Sequence, residues 1–405
     1  MKKIKILLYL TIISVIGGCI EQVEFDNVSF DTNLVVKAII TNEVKQHTVE
    51  LSRTIPIDST ELSPEKSAFV SLVDDLGTTY NFTETEDGIY TSINSFGADP
   101  ARSYTLSIQT NNGQRYNSTT EKLPENSNID DIRASVENDD IEGPFIAFKV
   151  NATGNSSDGS YYRYEYDETY KIKSFVWSPF RIRILSNISP YDFDYIPKDP
   201  DIYGEGFCYT SDTSNSILIT ETKTLSQDQV SGFTVRKVPL QSYIVGQRYS
   251  ILLKQYVLNQ NTYDYYTLLD KFSDPSDIFT QTQVGNIPSN ITSENNPTTD
   301  LVIGFFEVSS ITSKRFFFNR TDITDAYYDN YTDSSLCDEF PNPAFNDGFG
   351  NSPFLELLNT HIFYNEPPGG LGGSPSGGGP YQLILKQCGD CSHLGSVIEP
   401  DFWIE

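Results

Sequence analysis

The sequence predicts a mainly β protein. It reads as an N-terminal immunoglobulin-like or transthyretin-like β-sandwich, followed by a larger, sandwich-like β-rich domain with one helix. Composition is the first reason. The chain of 405 residues holds 25 Tyr and 25 Phe against a single Met, and aromatic and β-branched side chains suit a pleated, half-buried surface. Rhythm is the second. Between Asn33 and Thr120, short apolar or alternating runs follow one another, separated by turn residues. The third is that the same texture resumes after Leu123-Pro124-Glu125-Asn126, which reads as a domain boundary.

In the first domain, 33–123, Leu34 to Ile40 gives a strand, and the next alternates through His47, Val49 and Leu51. Ala68 to Val73 is closed by Asp74-Asp75-Leu76-Gly77. Thr79 to Phe82, Gly88 to Thr91, Tyr104 to Ile108 and Arg115 to Ser118 complete the set. Asn111-Asn112-Gly113 between the last two is a hairpin turn signal. No Cys or Trp lies in this segment, which excludes a disulfide-pinned antibody-type domain.

The second domain, 124–387, carries strand patterns at Ile129 to Val136, Phe145 to Val150, Tyr161 to Lys173, Val176 to Leu185, Ile217 to Glu221, Phe233 to Val238 and Tyr249 to Leu258. Asp, Pro, Tyr and Gly crowd Ser189 to Gly206, which reads as a long loop of the kind that carries function. Asn259 can cap a helix whose Tyr265, Leu268, Leu269 and Phe272 share one face. That aromatic stripe reads as core, and Asp274-Pro275 ends the helix. Leu301 to Val308 and Ser313 to Asn319 read as a hairpin turning through Ser309 to Thr312. Thr321 to Pro380 is weakly patterned and includes a Gly-rich loop, 369–379. Tyr381 to Leu385 is a last strand, and 388–405 is a Cys-containing C-terminal segment. No internal repeat stands out.

Ahead of both domains lies an export signal. Lys2, Lys3 and Lys5 precede an apolar run, Ile6 to Ile16, and then Ile16-Gly17-Gly18-Cys19. The small residues fit a peptidase cleft, and the cysteine thiol can take a diacylglycerol. Residues 1–18 are therefore expected to be a lipoprotein signal peptide, Cys19 the lipidated residue, and 19–32 a polar tether. Two or three acyl chains, at about 0.8 kcal/mol per buried methylene, would anchor the protein durably.

Loss of Lys2, Lys3 and Lys5 takes the formal charge from −27 to −30. Such a chain repels phosphate backbones, so nucleic acid is excluded as a partner. Apart from Cys19, the cysteines are Cys208, Cys337, Cys388 and Cys391, an even set that suggests two disulfides with three pairings open. Cys388-Gly389-Asp390-Cys391 has redox or zinc half-site spacing. However, the chain ends 14 residues later, and His393 is the only histidine nearby.

No catalytic motif appears. The three histidines, His47, His361 and His393, stand outside any recognisable constellation, and no nucleophile elbow or phosphate loop is present. Catalytic residues, metal and cofactor are accordingly expected to be none. The densest acidic group is Asp192, Asp194, Asp199, Asp201 and Glu205. It offers oxygens for Ca²⁺ but lacks EF-hand spacing, and it reads as a solvated loop. In the same stretch, Tyr191, Phe193, Tyr195 and Tyr203 are the candidate contact surface, since aromatics make effective interface anchors.

The order of these pieces resembles a known family. After the lipoprotein cysteine come Asn33 to Ala38, Tyr104-Thr105-Leu106, Phe207-Cys208-Tyr209 and Leu225-Ser226-Gln227-Asp228. Tyr249 to Leu258 then leads into a helix around Tyr263 to Leu269. Leu301 to Val308, Asp390-Cys391 and Pro400-Asp401-Phe402-Trp403 follow. This is similar to the Bacteroidota lipoprotein family called domain of unknown function 4249, over about 20 to 403. Ser392-His393 departs from the basic residue usual after that cysteine.

The resemblance implies company rather than chemistry. Members are typically encoded beside TonB-dependent outer-membrane transporters, and acidic residues such as Glu21 and Glu24 after the anchor favour the cell surface in that phylum. The expected function is a non-catalytic, outer-membrane accessory subunit of such a transporter, lipid-anchored through Cys19 and facing the exterior. The alternatives are a stand-alone surface module for a glycan or protein ligand, and a hydrolase with dispersed carboxylates.

Overall fold

The computed structural model describes residues 32–56, 59, 63–273, 287–298, 300–323, 337–365 and 379–405. Cys19, the signal peptide, nearly all of the tether and the Gly-rich loop up to residue 378 lie outside the described residues. Among the described residues no helix is long and apolar enough to cross a membrane.

The protein is mainly β, with several sheets in a sandwich-like arrangement. In chain order the strands are β1 (Leu34–Thr41), β2 (Thr48–Arg53), β3 (Phe69–Asp74), β4 (Thr79–Glu86), β5 (Ile89–Ser92), β6 (Ser103–Gln109), β7 (Arg115–Ser118) and β8 (Glu121–Lys122). Then come β9 (Ser127–Asp139), β10 (Gly143–Gly154), β11 (Tyr161–Lys173), β12 (Phe180–Ser186), β13 (Asp192–Pro197), β14 (Phe207–Thr213), β15 (Leu218–Glu221) and β16 (Gln229–Pro239). Last are β17 (Arg248–Leu258), β18 (Ile291–Ser293), β19 (Val302–Asn319), β20 (His361–Asn365) and β21 (Gln382–Leu385). Four α-helices are described: α1 (Pro200–Tyr203), α2 (Gln260–Ser273), α3 (Pro353–Leu357) and α4 (Lys386–Gly389).

The first sandwich follows from period-2 patterning. In β3, Val70 and Leu72 are buried while Phe69 points out; in β6, Tyr104, Leu106 and Ile108 are buried. The strands run β1-β2-β5-β4 and continue β3-β6-β7-β18. β4 turns the corner between layers, its Phe82–Glu86 half paired with β5 and its Thr79–Asn81 half with β3. The expected turn after β6 forms, with Gly113 at φ +85° and its N–H donating to the Thr110 carbonyl. Strands from far along the chain complete this core, which takes in Ile291, Val302, Phe306 and Val308.

The second sandwich sets the three-stranded sheet β16-β10-β9 against β14-β11-β17-β19. Phe148 stacks on Tyr249 at 4.7 Å, and Tyr162, Tyr164, Ile251 and Leu253 fill the same interior. One strand joins the two sandwiches. The hairpin expected at Leu301 to Asn319 is instead the single 18-residue strand β19. Its first half runs parallel to β1, from Leu34↔Val302 to Thr41↔Ser309, and its second half is antiparallel to β17. The polar run Ser309 to Thr312 resembled a turn because of its hydroxyls, but these are spent on the crossing. Ser309 donates to Glu307 at 2.6 Å, Ser310 to the Pro124 carbonyl, and Thr312 to the Ser127 carbonyl at 2.7 Å. Gly304, at φ +107°, permits the approach of β1, since a Cβ there would sit 1.8 Å from the Val36 carbonyl oxygen.

The expected helix is α2. Asn259 caps it, accepting from the Thr262 N–H at 2.9 Å. The long loop expected at Ser189 to Gly206 is replaced by β13 and α1. Asp and Pro masked an alternation in which Phe193 points inward, and Asp199 caps α1 ahead of Pro200.

Candidate functional site

A third layer stands beside the sandwiches. It consists of two hairpins, β12-β13 and β20-β21, with α3 between their strands in chain order. Two-stranded hairpins have no broad sheet to lie on, so they must bring a core of their own. Phe193, Phe354, Phe363, Tyr381 and Leu383 supply it. Phe193 meets Phe345 and Phe354, each at 4.8 Å, and Tyr195 stacks on Phe363 at 5.0 Å.

This corrects the expected contact surface. Phe193 is buried, and Tyr191 and Tyr195 pack half-buried against it. Tyr191 also donates to the Gly350 carbonyl at 2.9 Å. Tyr203 lies apart, on α1, and lines a cavity discussed below. What the layer does expose is a different apolar set. Ile184, Leu185 and Ile188 stand out at the β12-β13 turn, and Phe349, 91% exposed, sits in the loop that Tyr191 holds.

Two disulfides fasten the layer. Cys208 of β14 bonds Cys391, and Cys337 bonds Cys388. The Cys-x-x-Cys pair is thus divided between two partners, so it is a double fastening rather than a redox dithiol or a zinc half-site. Backbone bonds reinforce it: Val176 N–H donates to the Cys388 carbonyl at 3.0 Å, and Tyr209 N–H to the Ser396 carbonyl at 2.7 Å. The tail then runs to Trp403, which packs on Tyr209 and Phe317.

A second feature lies at the junction of the sandwiches, beneath α2. Period 2 turns Arg163 of β11 and Glu307 of β19 away from the two cores and toward this helix. Arg163 pairs with Glu307 at 3.0 Å and with Glu165. Its guanidinium lies 4.1 Å from the Tyr256 ring centroid and 4.8 Å from that of Tyr266. Tyr266 donates to Glu307 at 2.8 Å and Tyr256 to Glu165 at 2.9 Å. Burial opposes the Arg163 charge, but Glu307 foremost outweighs it and holds the guanidinium pKa above its ordinary value. Burial would likewise raise the Glu165 carboxyl, yet Arg163 and Tyr256 hold it below its usual range. A cavity of about 360 Å³ adjoins this network, floored by Val35, Ile39 and Ile303 and walled by Tyr265 and Leu269.

The remaining candidates do not converge. His47 is buried in the first sandwich, its Nε2 2.9 Å from the Phe96 carbonyl oxygen, and burial lowers its pKa. His361 lies in β20 beside the Thr360 hydroxyl, and His393 is exposed. Of the acidic group, Asp194 pairs with Arg183, Asp199 is spent capping α1, and Asp192 is exposed. Among the described residues no three His, Cys, Asp or Glu side chains gather as a metal site. Sequence patterning missed Arg163 and Lys198. The signal for Lys198 was its isolation, for it is the only Lys or Arg between Arg183 and Lys223.

The model of the family described as "Domain of unknown function (DUF4249)" matches residues 20–315. No curated protein matches the chain. Two solved structures show faint likeness. One, titled "Biofilm associated protein - BSP domain", is 9% identical with a TM-score of 0.12, over 70% of this chain and 58% of that one. The other, "Biofilm associated protein - B domain", is 9% identical with a TM-score of 0.13, over 79% and 93%. The chain thus spans 58% of the first of these structures, and neither likeness bears on function.

Proposed function

The chain belongs to the family described as domain of unknown function 4249, and on that premise we propose that it is a non-catalytic, lipid-anchored accessory protein of an outer-membrane, TonB-dependent transporter. Cys19 would carry the lipid, and the body would face the cell exterior. The observation that carries this reading is the third layer. It offers Ile184, Leu185, Ile188 and Phe349 to solvent on a platform fastened by two disulfides. Exposed apolar side chains on a rigid support suit a protein partner, because little is lost in ordering them on contact.

The test is a mild-detergent pull-down of tagged protein from its native membrane, read by mass spectrometry. A large barrel transporter recovered at near-equal stoichiometry is expected, and the pair Ile188→Asp and Phe349→Ser should release it without lowering thermal stability. Recovery of the lipoprotein alone from well-solubilised membrane would defeat the reading. The junction cavity favours a second reading, a stand-alone binding module. That reading predicts ligand affinity with no barrel present.

A further inference from the structure

A second cavity, of about 260 Å³, opens in the third layer. Its walls are apolar, with Phe180 and Ile182 from β12 and Ile362 and Phe363 from β20. Its charged lining among the described residues is unusual for a chain of net charge −27: Arg181, Lys198 and Lys386 against the single carboxylate of Asp390. His361 also lines it, and burial lowers its pKa, which keeps the imidazole neutral at neutral pH.

Lys198 is the informative residue. It is only 9% exposed, and its Nζ is buried with no hydrogen-bond partner among the described residues. Among the described residues no carboxylate comes within ion-pair distance of it, and the ring centroids of Trp177 and Tyr203 lie 5.6 Å and 5.9 Å from its Nζ. The Trp177 indole N–H is likewise buried without an acceptor among the described residues. Asp390 is occupied in part by the Ser392 N–H at 3.0 Å, and Lys386 donates to the Asn359 carbonyl at 2.8 Å. The orphaned Lys198 ammonium thus sits at an apolar cavity with excess positive charge, with the Trp177 ring close by. A buried ammonium without an anion is costly, and a fold that keeps one leaves a place for its counterion.

We propose that this cavity binds a small organic carboxylate with an apolar body. The carboxylate takes the Lys198 ammonium, with Arg181 at the rim, and the body lies between Phe180, Ile182, Ile362 and Phe363. The apolar walls select an organic acid over a free phosphate, whose further charge and oxygens they would leave unpaired. The inference does not depend on the transporter reading.

The chain has two tryptophans, so Trp403→Phe leaves Trp177 as the reporter. The full-length protein in an uncharged detergent is titrated with phenylacetate, with its neutral isostere phenylacetamide, and with inorganic phosphate, by Trp177 fluorescence and calorimetry. Saturable binding of phenylacetate alone is expected. Lys198→Met should weaken it about tenfold or more, the loss of one charge-assisted hydrogen bond. Arg181→Gln, at an exposed position, should weaken it less, and it decides the matter if Lys198→Met fails to fold. No saturable phenylacetate binding, equal binding of the amide, preference for phosphate, or affinity unmoved by these variants would overturn the proposal.

Discussion

Arg163 and Lys198 are buried almost equally, at 4% and 9% exposure, yet they sit in opposite surroundings. Arg163 is ringed by Glu307, Glu165, Tyr256 and Tyr266 on three strands and a helix. Lys198 faces two aromatic rings and an apolar cavity. The difference teaches where this fold spends its charges. At the sandwich junction a cation and its carboxylates lock β11, β17, β19 and α2 into one register, and the cation is fully answered from within the fold. In the third layer the packing is done by aromatics and disulfides, which leaves a cation free to answer something from outside.

The sharpest way to break the comparison is to strip Arg163 of its buried partner. Glu307→Leu should cost about 3 kcal/mol, because it leaves a buried guanidinium with only the partly exposed Glu165 to balance it, rather than merely removing a contact. Arg163→Met combined with Glu307→Leu should recover much of that loss, as replacing both members of a buried pair by apolar groups is often near neutral. Urea unfolding of the two variants measures both effects. If the double variant is as unstable as the single, the network contributes through the Tyr266 and Ser309 hydrogen bonds rather than through charge.

The disulfides give the next largest effect, and it should be local. Cys208→Ser with Cys391→Ser removes a crosslink spanning 183 residues and should cost about 2–4 kcal/mol. Amide exchange should quicken in β12, β13, β20 and β21 and hardly change in the first sandwich, which contains neither bridge. Uniform quickening would mean that the layer and the sandwiches unfold as one unit, and that the fastening is global.

The two regions also differ in how far the sequence disclosed them. The sandwiches were legible, since a strand such as Tyr161 to Lys173 carries its own pattern and appears with those same ends in β11. The length of β19 was not, because whether Ser309 to Thr312 turns or continues depends on the Ser127 and Pro124 carbonyls, which are far away in the chain. Nor was the disulfide pairing, which needs three-dimensional proximity. In the third layer, aromatics at 191, 193 and 195 promised a surface and delivered a core, because residue type tells affinity for apolar surroundings but not which surroundings. Arg163 and Lys198 look alike in sequence. Only the positions of the carboxylates separate a paired cation from a free one.

The smallest effect separates them in pH. Burial lowers the Lys198 pKa below its ordinary 10.5, and Asp390 only partly restores it. Below the lowered value both folded and unfolded chains carry the proton, and the cost of burying the ammonium is felt in full. As pH rises through that value toward 10.5, the folded chain sheds its proton first, so the cost fades and stability gains. Lys198→Met should therefore stabilise the unliganded protein, most at neutral pH and progressively less in alkali. The quantity to follow is the difference between variant and parent in urea midpoint, since titrations common to both cancel. Saturating phenylacetate should shrink that difference at neutral pH by stabilising the parent more than the variant. A Lys198→Met variant that is less stable than the parent at neutral pH would mean that the ammonium already has its counterion within the fold. The contrast with Arg163 would then disappear.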